Sequence, residues 1–358
     1  RNLEENGLPF IRTGFSTSIT DSLLSAVAKD KSPLQIKNTL NESRIWVSTI
    51  QSASSWLKDA LTFIHFDELI IDEASQIIEP SVLGFMTKVK KTILIGDQNQ
   101  LPPIVLQTKH RYHFKNESLK GLAYSGLSRS LLERLFLLAE TKSWIHAFNT
   151  LSIHYRMHDQ IAGLISSYYH NRLTSGGGRQ SQNLQDIPDS HPLLSTRLIW
   201  LDIPLSESSK TDPRIAASVN RLISILDEAG ELNSPETDLG IIAPFRAMIQ
   251  AIRNRLPQKH LGVSVDTVER YQGSQRKNII LTLPLKASHE LRMIESLSDD
   301  GRVDRKLNVA ISRASERLLV LGNSELCSAS LHYRELLQGI RTNGLHLSYD
   351  KVKELLGE

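Results

Sequence analysis

The chain has 358 residues, 40% of them hydrophobic and 23% charged, an ordinary soluble composition with room for two or three domains. Its 42 basic and 39 acidic residues leave a net charge of +3, too even to announce a nucleic-acid partner although compatible with a local basic groove. Its one cysteine, Cys327, excludes an internal disulfide framework and any multi-cysteine zinc or iron–sulfur site, and no run approaches the ~18 apolar residues of a membrane span.

A reducing, intracellular setting follows as the expectation: cytoplasm or nucleoid, or the nucleus of a eukaryote. The opening "RNLEENGLPFIRTG" has no signal-peptide apolar region. It starts as though inside an element, with Arg1–Asn6 closing a helix, Gly7 stopping it and "PFIRT" forming a strand, so the chain reads as a fragment. Further strands are predicted at 44–50 ("RIWVSTI"), 68–74 ("ELIIDEA") and 92–97 ("TILIGD"). A helix lies over 79–89 with Pro80 in its first turn, and another over 126–140. The second half places helices at 159–170 and 218–230, the latter closed by Gly230, and a turn-rich loop at 174–192. Strands follow at 197–202, 239–244, 278–284 and 317–322. Short β-branched runs alternating with helix-period segments predict an α/β fold with parallel sheets. The expected division is 1–150, 151–328 and a helical extension over 329–358.

Two apolar runs end on carboxylates, the first at Asp72-Glu73 and the second at Asp97, with a helix-length segment between them. Open α/β sheets place ligands at such strand ends. A strand-end Asp holding Mg²⁺ and a carboxylate orienting a water are what nucleotide hydrolysis needs, and Asp72 and Glu73 suit those two roles. Two acids opening a solvated loop is the bland alternative for the dipeptide alone. In "GDQNQLPPIV" (96–105), Gly96 frees the strand end, Gln100 offers an amide to a terminal phosphate, and Leu101-Pro102-Pro103 makes a stiff extended turn.

"DEAS" followed by "GDxxQLPP" resembles motifs II and III of superfamily 1 helicases, in the branch of the nonsense-mediated-decay RNA helicase and the replication nuclease-helicase. Further resemblances cover about residues 8 to 325. "LSIHYRMHDQI" (151–161) resembles motif IV, with His154 and Asp159 standing where the family usually has Gln and Pro. The resemblance implies that Arg156 reaches the γ-phosphate, where a positive charge is worth roughly 10³–10⁵ in rate. "GIIAPFRAMIQAI" (240–252) resembles the strand-and-turn element that places Pro244, Phe245 and Arg246 on nucleic acid, with Met248 in place of a common Gln; Phe245 suits either base stacking or the core. "VDTVERYQGSQRKNIIL" (265–281) resembles motif V. It implies a phosphate contact by Thr267, close approach to the nucleotide at Gly273, and a neutral Gln275 where Glu is usual. "KLNVAISRASERLLVLGN" (306–323) resembles motif VI, whose helix would set Arg313 beside the cleft as a second arginine finger; without the family, Arg313 would be an exposed helix charge. "IWVSTIQSA" (45–53) resembles a DNA-contacting segment, with Ser48 and Thr49 as phosphate donors.

The resemblance implies two RecA-like domains, the first truncated, with ATP between them and Mg²⁺ on Asp72. Asp72, Glu73, Gln100, Arg156 and Arg313 are the implied catalytic residues, and Gly273, Gln275, Arg156 and Arg313 the implied nucleotide contacts. Ser48, Thr49, Pro102, Pro103, Pro244, Phe245, Arg246 and Thr267 are the implied nucleic-acid contacts. The expected activity is ATP-driven 5′-to-3′ translocation on single-stranded DNA and duplex unwinding; the polarity comes from the branch. No GxxxxGK[ST] phosphate loop occurs, so the 358 residues alone are expected to bind ATP weakly or not at all. Three alternatives stay open: an RNA helicase of the same branch, a degenerate non-catalytic nucleic-acid module, and a metal-dependent nuclease using Asp72, Glu73 and Asp97.

Overall fold

The computed structural model describes residues 5–14, 24–60, 64–105, 117–124, 126, 129–182, 191–208 and 210–357. Residues 1–4 of the anticipated opening helix, 125, 127 and 128, and the 183–190 part of the turn-rich loop lie outside that set. The chain forms two compact units, one of residues 1–98 and 102–147, the other of 99–101 and 148–358. The three residues Asn99–Leu101 thus belong to the second unit although they follow a strand of the first.

In the first unit, β1 (Ile11–Thr13) pairs in parallel with β2 (Trp46–Ser48). Between them lies α1 (Pro33–Glu42), started by a reciprocal Ser32–Gln35 capping box. Helix α2 (Ile50–Ala60) follows β2. Strand β3 (Glu68–Ile71) pairs in parallel with β4 (Lys91–Leu94), Ile71 opposite Leu94, and α3 (Pro80–Met86) makes the crossover. Helix α4 (Leu131–Thr141) begins at Ser130, whose hydroxyl accepts from the Glu133 amide. Among the described residues the buried apolar centre of this unit is small: Ile71, Ala74, Val82 and Leu131.

The second unit is built on one six-stranded sheet in the order β12-β7-β11-β10-β8-β9, every neighbouring pair parallel. A separate pair, β5 (Ile153–His154) with β6 (Thr174–Ser175), flanks α5 (Asp159–Ile165) in the chain. The sheet strands are β7 (Leu198–Asp202), β8 (Leu239–Ile242), β9 (Ser264–Asp266), β10 (Arg276–Leu283), β11 (Ala314–Gly322) and β12 (Leu345–Leu347). Successive residues of a strand point to opposite faces, and a parallel sheet buries both. Leu318 and Val320 therefore join one core with α5, α8 (Arg305–Ser312) and α9 (Leu331–Asn343). Leu319 and Leu321 join the other, under α6 (Pro213–Glu228), α7 (Arg246–Arg253) and α10 (Tyr349–Leu356).

The expected helical extension over 329–358 is corrected here, because β12 adds an edge strand beside β7 and both flanking helices enter the core. Gly344 ends α9 where an added Cβ would lie 2.1 Å from the Leu198 carbonyl, so only glycine lets the chain turn onto β7. The sequence pattern predicts no strand at β9 or β12, each three residues long, nor the two-residue pair β5–β6.

Candidate nucleotide and nucleic-acid sites

In the first unit, β3 delivers Asp72 and Glu73 beyond its carboxyl end, both exposed. The Glu73 amide donates to Asp72 Oδ1 at 2.9 Å, and Gln76 Nε2 donates to Glu73 Oε2 at 2.9 Å. Glu73 itself sits at φ 52, ψ 36, the left-handed region that a side chain enters only at some cost. The turn closes on β4: the Ala74 amide donates to the Ile95 carbonyl at 2.8 Å. A Cβ on Gly96 would lie 3.0 Å from the Ser75 amide nitrogen and 2.8 Å from Leu132 Cδ2, so this glycine lets the two strand ends meet. Asp97 follows directly, half-buried.

Near β2, Thr49 Oγ1 accepts from the Ser52 amide at 3.2 Å, capping α2, and Ser48 Oγ donates to the Thr49 carbonyl at 3.0 Å. Both residues are exposed. Of the proline pair, Pro102 is half-exposed and Pro103 is buried; Pro103 packs rather than faces a strand of nucleic acid, which corrects that expectation.

In the second unit, motifs IV, V and VI meet at the amino ends of β10 and β11. These strands start side by side, Arg276 opposite Ala314, and the Arg276 amide donates to the Arg313 carbonyl at 3.0 Å. The His158 amide donates to the Ser315 carbonyl at 2.9 Å, bringing the turn that carries Arg156 to the same end. Gln275 and Arg156 are exposed there. Gly273 has φ +75, and a Cβ added to it would meet nothing within 4 Å, so its glycine serves the backbone conformation and not close packing.

Arg313 departs from expectation. It is 1% exposed and caps the end of α8. Its Nε donates to the Val309 carbonyl at 3.1 Å, Nη1 to the Ser274 carbonyl at 3.1 Å, and Nη2 to Ser312 Oγ at 2.9 Å. A buried guanidinium is tolerable only with such partners, and here they tie motif VI to the motif V turn.

The second unit's expected nucleic-acid contacts lie at the opposite, carboxyl ends of the strands. Pro244, Phe245 and Arg246 follow β8, and Thr267 follows β9. Arg246 is exposed at the start of α7; Phe245 is half-buried against the core, and Met248 is fully buried, which removes any polar role for it.

Both departures from the motif IV pattern touch one loop. Asp159 accepts from the hydroxyls of Ser175 and Ser181, which together hold its carboxyl below the usual carboxylate range. Gln180 donates to the His154 carbonyl at 2.9 Å and accepts from the Gly177 amide at 3.1 Å. Burial lowers the His154 pKa, with Asp159 opposing. Tyr155 was missed from sequence: it is 76% exposed, and an added Cβ at Gly176 would lie 2.3 Å from its ring. An aromatic laid on a glycine beside Arg156 offers a stacking face. The signal available was "SGGG" downstream of "HYR", which spacing alone could not connect.

An AAA-domain family profile matches residues 127–325 and a second AAA-domain profile matches 17–108. The chain belongs to the superfamily 1 helicases, in the 5′-to-3′ branch. Among the curated proteins similar to it, "DNA-binding protein SMUBP-2" of Mesocricetus auratus is 30% identical over 94% of this chain and 33% of its own length. "DNA polymerase alpha-associated DNA helicase A" of Saccharomyces cerevisiae is 28% identical over 81% of this chain and 44% of its own. "DNA replication ATP-dependent helicase/nuclease DNA2" of Bos taurus is 28% identical over 82% of this chain and 28% of its own. The chain thus spans between a quarter and a half of each of these relatives. The solved structure of an Arterivirus helicase with DNA aligns to 89% of this chain and 49% of its own at 13% identity and TM-score 0.39, too loose a likeness to argue from.

Proposed function

We propose that the full-length protein hydrolyses ATP to move 5′ to 3′ along single-stranded DNA and open duplexes, and that this chain is part of its motor. The observation that carries the reading is the convergence of Arg156, Gly273–Gln275 and Arg313 at one end of the second unit's sheet, in the order of the helicase motifs. DNA is favoured over RNA as the track by the DNA-directed names of the relatives.

Asp72 fits a magnesium ion by the chemistry of its donor: a hard carboxylate, exposed, oriented through one oxygen by the Glu73 amide. Bound there with ATP, the ion would supply charge neutralisation on the phosphates. Glu73 orients the attacking water, its side chain aimed by the left-handed backbone and steadied by Gln76. Arg156, exposed, brings positive charge to the terminal phosphate, and Tyr155 stacks on the base. Arg313 joins only by exchanging the carbonyls of Ser274 and Val309 for phosphate oxygens, so in its present state it braces the motif V turn. Arg246 and Thr267 engage the strand at the other end of the sheet.

The test is ATP turnover by the full-length protein with and without single-stranded DNA. Stimulated turnover that disappears in Glu73→Gln supports the reading; turnover that persists in that variant refutes it. Salt titrations on single-stranded DNA and RNA of one sequence decide the track, since phosphate contacts alone are blind to the sugar.

A further inference from the structure

Asn308 is fully buried in the middle of α8, a place where an amide is a poor choice for packing alone. Its Nδ2 donates to the Asn99 carbonyl at 2.8 Å and to the Tyr169 hydroxyl at 2.8 Å, while its Oδ1 has no hydrogen-bond partner among the described residues. Asn99 in turn donates through its own Nδ2 to the Tyr168 carbonyl at 2.8 Å. Leu101, two residues on, is 7% exposed and sits in the core with Met157 and Leu307. The turn that carries Gln100 is therefore pinned on both sides of that residue, by an amide clasp before it and an apolar anchor after it. An apolar side chain in place of Asn308 would escape the unpaired oxygen, so the clasp is retained at a cost to packing.

Arg313 caps the same helix. One residue after Asn308, the Val309 carbonyl accepts from Arg313, whose Nη1 reaches the Ser274 carbonyl beside Gln275. Helix α8 is a single rigid piece to which the turns of Gln100 and of Gly273–Gln275 are both bonded.

We infer that Asn308 and Asn99 are positioning residues for ATP hydrolysis, forming a clasp that sets Gln100 in fixed register with Arg313 through α8. This rests on the reading of the protein as an ATPase motor. A clasp that places the Gln100 amide acts on the chemical step, since it contributes nothing to ground-state binding of the nucleotide. The Asn99 side chain is only half-buried, so Asn99→Ala removes the clasp's bond to the Tyr168 carbonyl, and leaves the Asn99 carbonyl on Asn308, without opening the core.

The experiment measures kcat and KM for ATP in the full-length protein, with single-stranded DNA saturating, for wild type, Asn99→Ala, Asn308→Asp and the double variant. Asn308→Asp keeps the volume and removes both donors. Asn99→Ala is expected to lower kcat about 3- to 10-fold, the worth of one hydrogen bond, with KM unchanged and the melting temperature lowered by no more than that one bond's worth. Asn308→Asp should lower kcat further, and the double variant no more than Asn308→Asp alone, because the two act through one clasp. Wild-type kcat in Asn99→Ala, or losses that multiply in the double variant, overturn the inference; Asn99→Ala decides by itself should Asn308→Asp fail to fold. Glu73→Gln in the same series separates the two levels. Turnover abolished there but untouched by Asn99→Ala sinks the clasp and spares the motor, whereas a wild type without turnover sinks both.

Discussion

The acidic edge of the first unit and the arginine end of the second solve the same problem by opposite means. Asp72 and Glu73 are exposed and are aimed by the backbone, through a strand end, a left-handed residue and an amide bond across the dipeptide. Arg313 is buried and aimed by packing, with carbonyls on either side of it. The lesson is that exposure separates a residue's chemistry from its share of stability, and burial fuses the two. The carboxylates can be changed without touching the fold; the arginine cannot.

The largest effect expected from that contrast is on Glu73. In the full-length protein Glu73→Gln should lower ATP turnover by about 10²–10⁴, the range for a lost general base or water-orienting group. Its thermal midpoint should stay where it was. Glu73→Gly should lose turnover equally and melt slightly higher, since glycine enters the left-handed region without strain. A Glu73→Gly protein that melts lower would mean that the carboxylate has a structural role the geometry does not assign to it.

Arg313→Ala comes next, and here turnover and stability should fall together. Truncation leaves the Ser274 and Val309 carbonyls and the Ser312 hydroxyl without that donor in a buried place, a loss of about 2–4 kcal/mol. Chemical denaturation read by fluorescence or circular dichroism checks it. A variant that lost turnover with an unchanged midpoint would restore the exposed-finger picture and break the comparison.

A third, smaller effect concerns Asp304 at the head of the same helix. Its Oδ1 accepts from the amides of Ser296, Lys306 and Leu307, while Oδ2 has no partner among the described residues. Burial raises its pKa above the ordinary 3.8; Glu295 adds to the rise, and the amides and His332 oppose it. The folded protein therefore holds a proton that the unfolded chain releases. This contribution is fully present below the ordinary carboxylate pKa and is lost as pH rises through the folded value. Asp304→Asn keeps the capping oxygen and removes the charge. The wild type should thus lose stability relative to Asp304→Asn as pH rises from about 4 towards 7, measured as urea midpoints against pH. A wild type that gains stability relative to Asp304→Asn as pH rises contradicts the assignment.

Much of the fold was legible because both periodicity and length agreed: all seven strands expected after the first appear, and each long sheet strand reads as a continuous apolar run. Of the strands of two or three residues, β1 and β2 lie within longer β-branched runs, whereas β5, β6, β9 and β12 give no such run and exist through their neighbours. The motif residues were legible by type and order, while their surroundings were not. That Arg313 lies buried depends on Ser274 and Val309, distant or unmarked in the sequence. That His154 and Asp159 both serve the loop after β6 depends on a turn no spacing rule predicts. Phe245 read equally well as stacking surface or core, Pro103 was expected on nucleic acid, and tertiary packing decided both.

The smallest expected effect lies in the first unit, at one glycine inside the crossover helix and one just past β4. Gly84 is exposed inside α3 and a Cβ there meets nothing within 4 Å, so it costs helix stability without serving close packing. Gly84→Ala should stabilise by about 0.5–1 kcal/mol through the unfolded chain's lost freedom. Gly96, at the end of β4, has Leu132, Ser75 and Ala74 within 3.1 Å of the same added atom, and Gly96→Ala should destabilise. Turnover should follow the second substitution and ignore the first, because only Gly96 joins the backbone that aims Glu73. If Gly84→Ala also slowed ATP hydrolysis, the crossover helix would have to take part in aiming the carboxylates, and backbone geometry at the strand ends would no longer suffice to explain them.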